Sequence, residues 1–148
     1  LASKRPKLTF AHNVVIGLAL LTMLLGLGNL VRTAMALVYT EVLPDVPMTV
    51  SWTYLAAMGG FWGVTLLACG IMLLFFRPWS RWPVLIAVTL YQGQVWINHL
   101  LFDASDYAQI TRPRDLALTL LLLAVMWGAL NWPAVRKRFV EGGVGGGK

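Results

Sequence analysis

Charge is scarce in this sequence. Only 12% of its 148 residues are Asp, Glu, Lys or Arg, whereas 58% are hydrophobic. A soluble globular protein averages about 25% charged residues, so the composition excludes an ordinary cytosolic enzyme, a disordered chain and a nucleic-acid module. Cysteine is scarcer still. The single Cys69 allows no intrachain disulfide and no multi-cysteine metal site. It lies in an apolar run and reads as a small packing residue. Also missing are a glycine-rich phosphate loop, an HExxH pair, a nucleophile elbow and a c-type haem attachment motif. There is no convincing internal repeat. The expectation is a chain with no catalytic centre of its own, no metal and no cofactor.

What is present is long apolar runs. A bilayer core needs about 20 mostly apolar residues per helix. Four segments meet this: Val14 to Val38, Trp52 to Phe76, Pro83 to Phe102 and Leu116 to Trp132. Unpaired backbone is intolerable in lipid, which leaves helices or a closed barrel. Barrel strands alternate apolar and polar residues, and Leu116 to Val125 does not alternate. The expected fold is therefore all-α, an integral membrane four-helix bundle. A basic N-terminal arm (1–13) precedes the bundle (14–133), and a basic, glycine-rich tail (134–148) follows it. The glycines from Gly142 to Gly147 predict a flexible end. A cleavable signal peptide over residues 1–36 is the rival reading, with Ala34-Met35-Ala36 resembling a cleavage site. Its apolar run exceeds the roughly 7–15 residues of such a segment, so a retained first helix is expected. The opening Leu1 leaves the native start undefined.

The net charge of +6 is distributed unevenly. Lys4, Arg5, Lys7, Arg77, Arg81, Arg136, Lys137, Arg138 and Lys148 share one side of an alternating four-span chain. Arg112 and Arg114 lie on the other, with Arg32 near the end of the first span. Basic loops face the cytoplasm, so both termini are expected there. Arg77, Trp79, Arg81 and Trp82 occupy the second connection. They read as interfacial anchors, the tryptophans keeping an N–H wet and the arginines reaching lipid phosphate. Pro44 and Pro47 break the first connection. Pro113, in a charged third connection from Asp103 to Asp115, is placed to start the last helix.

Membrane helices meet through small residues and buried polar contacts. One such stripe runs along each span: Ala19, Thr22, Gly26, Asn29 and Thr33; Ala56, Gly60, Gly63, Leu67 and Gly70; Ala87, Tyr91, Gln94 and Asn98; Ala117, Leu121, Ala124, Gly128 and Asn131. Gly59 and Gly63 add a GxxxG pair. The third span is the most polar. Gln94 and Asn98 share one face, while Gln92, Trp96, His99 and Asp103 share an adjacent one. The sharper reading of His99, Gln92 and Gln94 is a quinone or proton site, giving a small transporter or quinone-binding protein. The plainer one is interhelical hydrogen bonding, with His99 and Asp103 four residues apart and able to touch. Arg32 and Asp103 are expected at similar depth, either as a buried pair or with Arg32 reaching lipid phosphate. A lipid-directed enzyme using Asp103, Asp106 and Asp115 is a third possibility; a solvated charged loop explains them more simply.

The segment Arg77-Pro78-Trp79-Ser80-Arg81-Trp82, followed by Tyr91-Gln92 and by Trp96-Ile97-Asn98-His99-Leu100-Leu101-Phe102, resembles small four-span bacterial membrane proteins of unassigned function. The chain also resembles the small accessory subunits of bacterial electron-transfer supercomplexes, in particular the extra membrane subunit of photosynthetic alternative complex III, a quinol-oxidising assembly. That resemblance implies a non-catalytic subunit bordering the redox subunits and carrying no redox centre. It also implies the inner membrane of a bacterium as the setting, with membrane lipids and larger integral membrane subunits as partners and no nucleic acid.

Overall fold

The computed structural model describes residues 5–42, 50–102 and 106–144. Among these the regular structure is all helix: α1 (Arg5–Val42), α2 (Trp52–Leu74), α3 (Arg81–Phe102), α4 (Asp106–Asn131) and α5 (Pro133–Val144). Four of them, α1 to α4, are long and apolar enough to cross a membrane. At 1.5 Å per residue the 38 residues of α1 extend about 57 Å, well beyond a hydrocarbon core of about 30 Å. Helix thus runs through most of the stretch read as a basic arm.

The boundaries follow local chemistry. Ser51 caps α2, its hydroxyl accepting from the Tyr54 backbone N–H at 3.2 Å. α2 ends at Leu74 rather than Phe76, and Phe76 takes a left-handed backbone with φ 51°. Its ring stacks on His12 (4.8 Å between centroids) and faces Phe139 at 6.0 Å. Proline disfavours helical backbone in the residue before it and suits the first helical position. The chain accordingly breaks at Trp132, and α5 starts on Pro133. Two sequence expectations are corrected. Pro113 does not open the last helix: it lies inside α4, which begins at Asp106. Arg112 on that added first stretch donates to the His99 carbonyl at 3.4 Å, holding the helix against α3 ahead of the proline. The tail is helical through Val144, because Val135 and Phe139 are buried in the core and fix α5 to the bundle.

The apolar core sits at one end. Ala11, Val15 and Leu18 of α1 meet Leu66, Cys69 and Leu73 of α2, Val84, Leu85 and Val88 of α3, Met126 and Leu130 of α4, and Val135 and Phe139 of α5. Phe10 meets Trp132 edge-on at 5.7 Å at this same end. The helices therefore alternate in direction, and the α2–α3 turn, α5 and the start of α1 lie together. Arg77, Arg81, Arg136 and Lys137 all belong to this end.

Beyond the core the tight contact is between α1 and α2, and it depends on missing side chains. A Cβ at Gly26 would lie 2.8 Å from the Leu67 backbone nitrogen and 2.9 Å from the Gly63 carbonyl. One at Gly63 would lie 2.7 Å from Leu30 Cγ and 3.1 Å from the Gly26 carbonyl, and one at Gly70 would collide with Met23. Gly59 is equally tight against Thr33, whereas Gly60 stands off at 3.8 Å. The expected stripe of α2 is thus shifted by one residue at that turn, from Gly60 to Gly59. The stripe expected on α4 points outward: Ala117, Leu121, Ala124 and Gly128 are all exposed, and nothing lies within 4 Å of a Cβ at Gly128. α4 meets the bundle through Thr119, Leu122, Leu123, Met126 and Leu130 instead.

Gly26→Ala and Gly63→Ala should each lower stability by about 1–3 kcal/mol through overpacking, while Gly17→Ala, with open space around it, should leave it unchanged or raised. Thermal unfolding of the detergent-solubilised chain, followed by near-UV circular dichroism, measures the difference.

Candidate functional site

The polar residues of α3 divide between two neighbours. Positions 92 and 94 lie about 200° apart around a helix, so Gln92 and Gln94 cannot serve one site. Gln94 turns to α2: its Nε2 donates to the Tyr54 hydroxyl at 2.7 Å and to Asn98 Oδ1 at 3.1 Å. Tyr54 in turn donates to Asn98 Oδ1 at 3.1 Å. Gln92 turns to α4: Thr119 donates to Gln92 Oε1 at 3.3 Å and accepts from Trp96 Nε1 at 3.0 Å. His99 packs beside Trp96, with 5.9 Å between ring centroids, and its carbonyl accepts from Arg112. The expected grouping of His99, Gln92 and Gln94 is therefore corrected: the first two face α4, and the third faces α2.

A second polar group stands where α1, α2 and α3 converge. Asn29 is buried, and its Nδ2 donates to the Leu25 carbonyl at 2.8 Å and to the Tyr91 hydroxyl at 3.1 Å. Thr33 donates to the Asn29 carbonyl at 3.0 Å and lies 3.2 Å from the Ala56 carbonyl across the interface. Asn29 and Thr33 of the α1 stripe and Tyr91, Gln94 and Asn98 of the α3 stripe thus meet as the spacing predicts. Tyr54 and Trp62 of α2, which join them, went unmarked in the sequence because α2 reads as apolar and its glycines dominate the pattern. Trp62 packs edge-on to Tyr91 at 5.7 Å, and its buried indole N–H has no acceptor. A small space remains there, bordered by Asn29, Arg32, Trp62, Tyr91, Gln94 and Asn98 and also by Leu55, Met58 and Val95.

Arg32 is exposed at the edge of this group. Its suggested partner, Asp103, lies outside the described residues, as do Pro44 and Pro47 of the first connection. Among the described residues Arg32 has no carboxylate partner; the ion pair found there joins Arg114 to the adjacent Asp115 at 3.1 Å. Also among the described residues, no three His, Cys, Asp or Glu side chains come close enough to hold a metal ion. His12 and His99 sit at opposite ends of the bundle. In the second connection Trp79 and Trp82 are exposed, and the Arg81 guanidinium lies 5.4 Å from the Trp82 ring centroid. Ser80, buried, donates to the Arg77 carbonyl at 2.8 Å and closes the turn.

No known protein family, curated protein or solved structure matches this chain.

Tyr54→Phe removes the hydroxyl that bridges Gln94 and Asn98. It should destabilise the α2–α3 contact by about 0.6 kcal/mol, the average for hydrogen bonds between membrane helices, and by no more than about 1.7 kcal/mol. A double-mutant cycle with Gln94→Leu, read by unfolding in detergent, should return a coupling energy of that order.

Proposed function

We propose that this chain is a non-catalytic accessory subunit of a membrane complex, stabilising larger membrane subunits by helix packing. Its four apolar helices cross the bilayer, with both termini on the cytoplasmic side that the basic residues favour. The observation that carries the reading is the outward seam of α4. Only 11% of its most apolar stretch is buried, against 39% in α2, and Ala117, Ala124 and Gly128 face away from the bundle. Small residues let membrane helices approach closely and contribute little when they face lipid. The glycine seam shared by α1 and α2 is occupied; that of α4 stands open for the helix of another protein. At the basic end, Arg77, Trp79, Arg81 and Trp82 anchor the bundle at the headgroups. In its narrower form the partner assembly is a bacterial quinol-oxidising electron-transfer complex of the alternative complex III kind, a reading supported by sequence resemblance alone. The split of Gln92 and His99 from Gln94 weighs against the alternative of a quinone site on α3.

Purification of the full chain in mild detergent should bring down stable membrane subunits, with a haem absorption band if the narrower form holds. Ala124→Leu combined with Gly128→Leu should release those subunits by tenfold or more while leaving the unfolding temperature of the isolated chain unchanged, because both side chains enter open space. Recovery of the native protein solely as a free monomer would sink the proposal.

A further inference from the structure

Arg32 and Tyr91 bring hydrogen-bond donors to one outer cleft, and Trp62 lies behind them at a small space inside the bundle. The Trp62 indole N–H is buried without an acceptor. Arg32 faces no carboxylate among the described residues. The Tyr91 hydroxyl oxygen accepts from Asn29, which leaves its own proton to donate elsewhere. Arg32, Tyr91 and Asn29 border both the small space inside the bundle and an adjoining cleft of about 200 Å³ on its outer surface. Leu24, Leu25 and Gly28 form the apolar wall of the cleft. Gly28 leaves that wall open, with nothing within 4 Å of the Cβ it lacks. Along α1 toward the apolar core, Leu24 and Leu20 continue as an exposed ridge.

Donors beside an apolar wall match the chemistry of an acceptor-rich anion with an apolar tail. A buried donor without an acceptor carries a free-energy penalty that a ligand oxygen would relieve. A guanidinium presents planar, paired N–H groups that match a phosphate or carboxylate. We propose that the cleft between α1 and α3 binds a phospholipid with an anionic headgroup. Arg32 meets its phosphodiester, Tyr91 donates to a neighbouring oxygen, a headgroup oxygen entering the small inner space accepts from Trp62, and an acyl chain lies over Gly28 and along Leu24 and Leu20. The geometry orders these groups as a lipid does, with the cation nearer the helix end and the apolar wall nearer the middle of α1. The inference rests on the membrane placement proposed above and is independent of any protein partner on α4.

The test uses the full chain, delipidated in detergent and examined by native mass spectrometry with added phosphatidylglycerol, phosphatidylcholine, oleate or inorganic phosphate. Recovery of the chain in the membrane fraction of the expressing cells is scored separately, so failure of membrane placement is distinguished from failure of the lipid site. Phosphatidylglycerol should remain bound at least tenfold more strongly than phosphatidylcholine, and oleate and inorganic phosphate should compete poorly. Arg32→Gln should remove that preference. Gly28→Leu, which fills the cleft while keeping the charge and should leave the fold intact, should reduce retention at least fivefold. Trp62→Phe, which keeps the ring packing, should weaken retention severalfold. Arg136→Gln with Lys137→Gln, at the opposite end, should leave this tightly held lipid in place. Equal retention of the two phospholipids, retention unchanged in Gly28→Leu, or stronger binding of oleate or phosphate alone would overturn the proposal.

Discussion

The approach of α1 to α2 is the constraint on which the rest of the bundle depends. Hydrocarbon is as apolar as leucine, so no hydrophobic force presses two membrane helices together beyond what packing and polar contacts supply. Gly26, Gly63 and Gly70 bring backbone to within side-chain distance of backbone, and Thr33 spans the same interface. This pair is the fixed reference against which α3 is set. Asn29 of α1 and Tyr54 of α2 each reach α3 by a hydrogen bond, to Tyr91 and with Gln94 and Asn98. Loss of the close approach would move both anchors together.

The two ends of the bundle use different physics. At the basic end, all five helices contribute to an apolar core, closed below by α5 through Val135 and Phe139. At the other end, close glycine contacts and polar bridges replace bulk. This division has a functional side. Ordered polar groups within an apolar bundle give direction and register, and they also leave donors unmatched where three helices meet. The Arg32 cleft occupies the point where the glycine seam, the Asn29–Tyr91 bridge and the outer surface converge.

Much of this was legible in the residues. The four apolar runs gave the number and order of the long helices, because length and hydropathy alone determine them. The seams of α1 and α3 were legible because each mixes small and polar residues at helical spacing, and Asn29, Tyr91, Gln94 and Asn98 do meet neighbouring helices. The seam of α4 was misleading for an instructive reason. Ala117, Ala124 and Gly128 obey the same spacing, but spacing cannot tell an inward face from an outward one. Pro113 misled in a similar way: the rule for first-turn proline is a preference, and contact with α3 extended the helix past it. The extent of α5 was hidden because its three basic residues and its glycines resemble a solvated tail, while Val135 and Phe139, spaced four apart, supply the buried stripe. Tyr54 and Trp62 were lost against the uniform hydropathy of α2.

The closest contact in the molecule is also among the most local in sequence, since α1 and α2 are consecutive. Emerging from the ribosome, this hairpin can zip before α3 and α4 have been made, its alignment decided by glycines already in place. α4 arrives last among the long helices and finds no comparable slot. Its late, loose docking keeps one flank of the molecule adjustable, so the chain can mature in two stages: a rigid half first, then a half that settles against it.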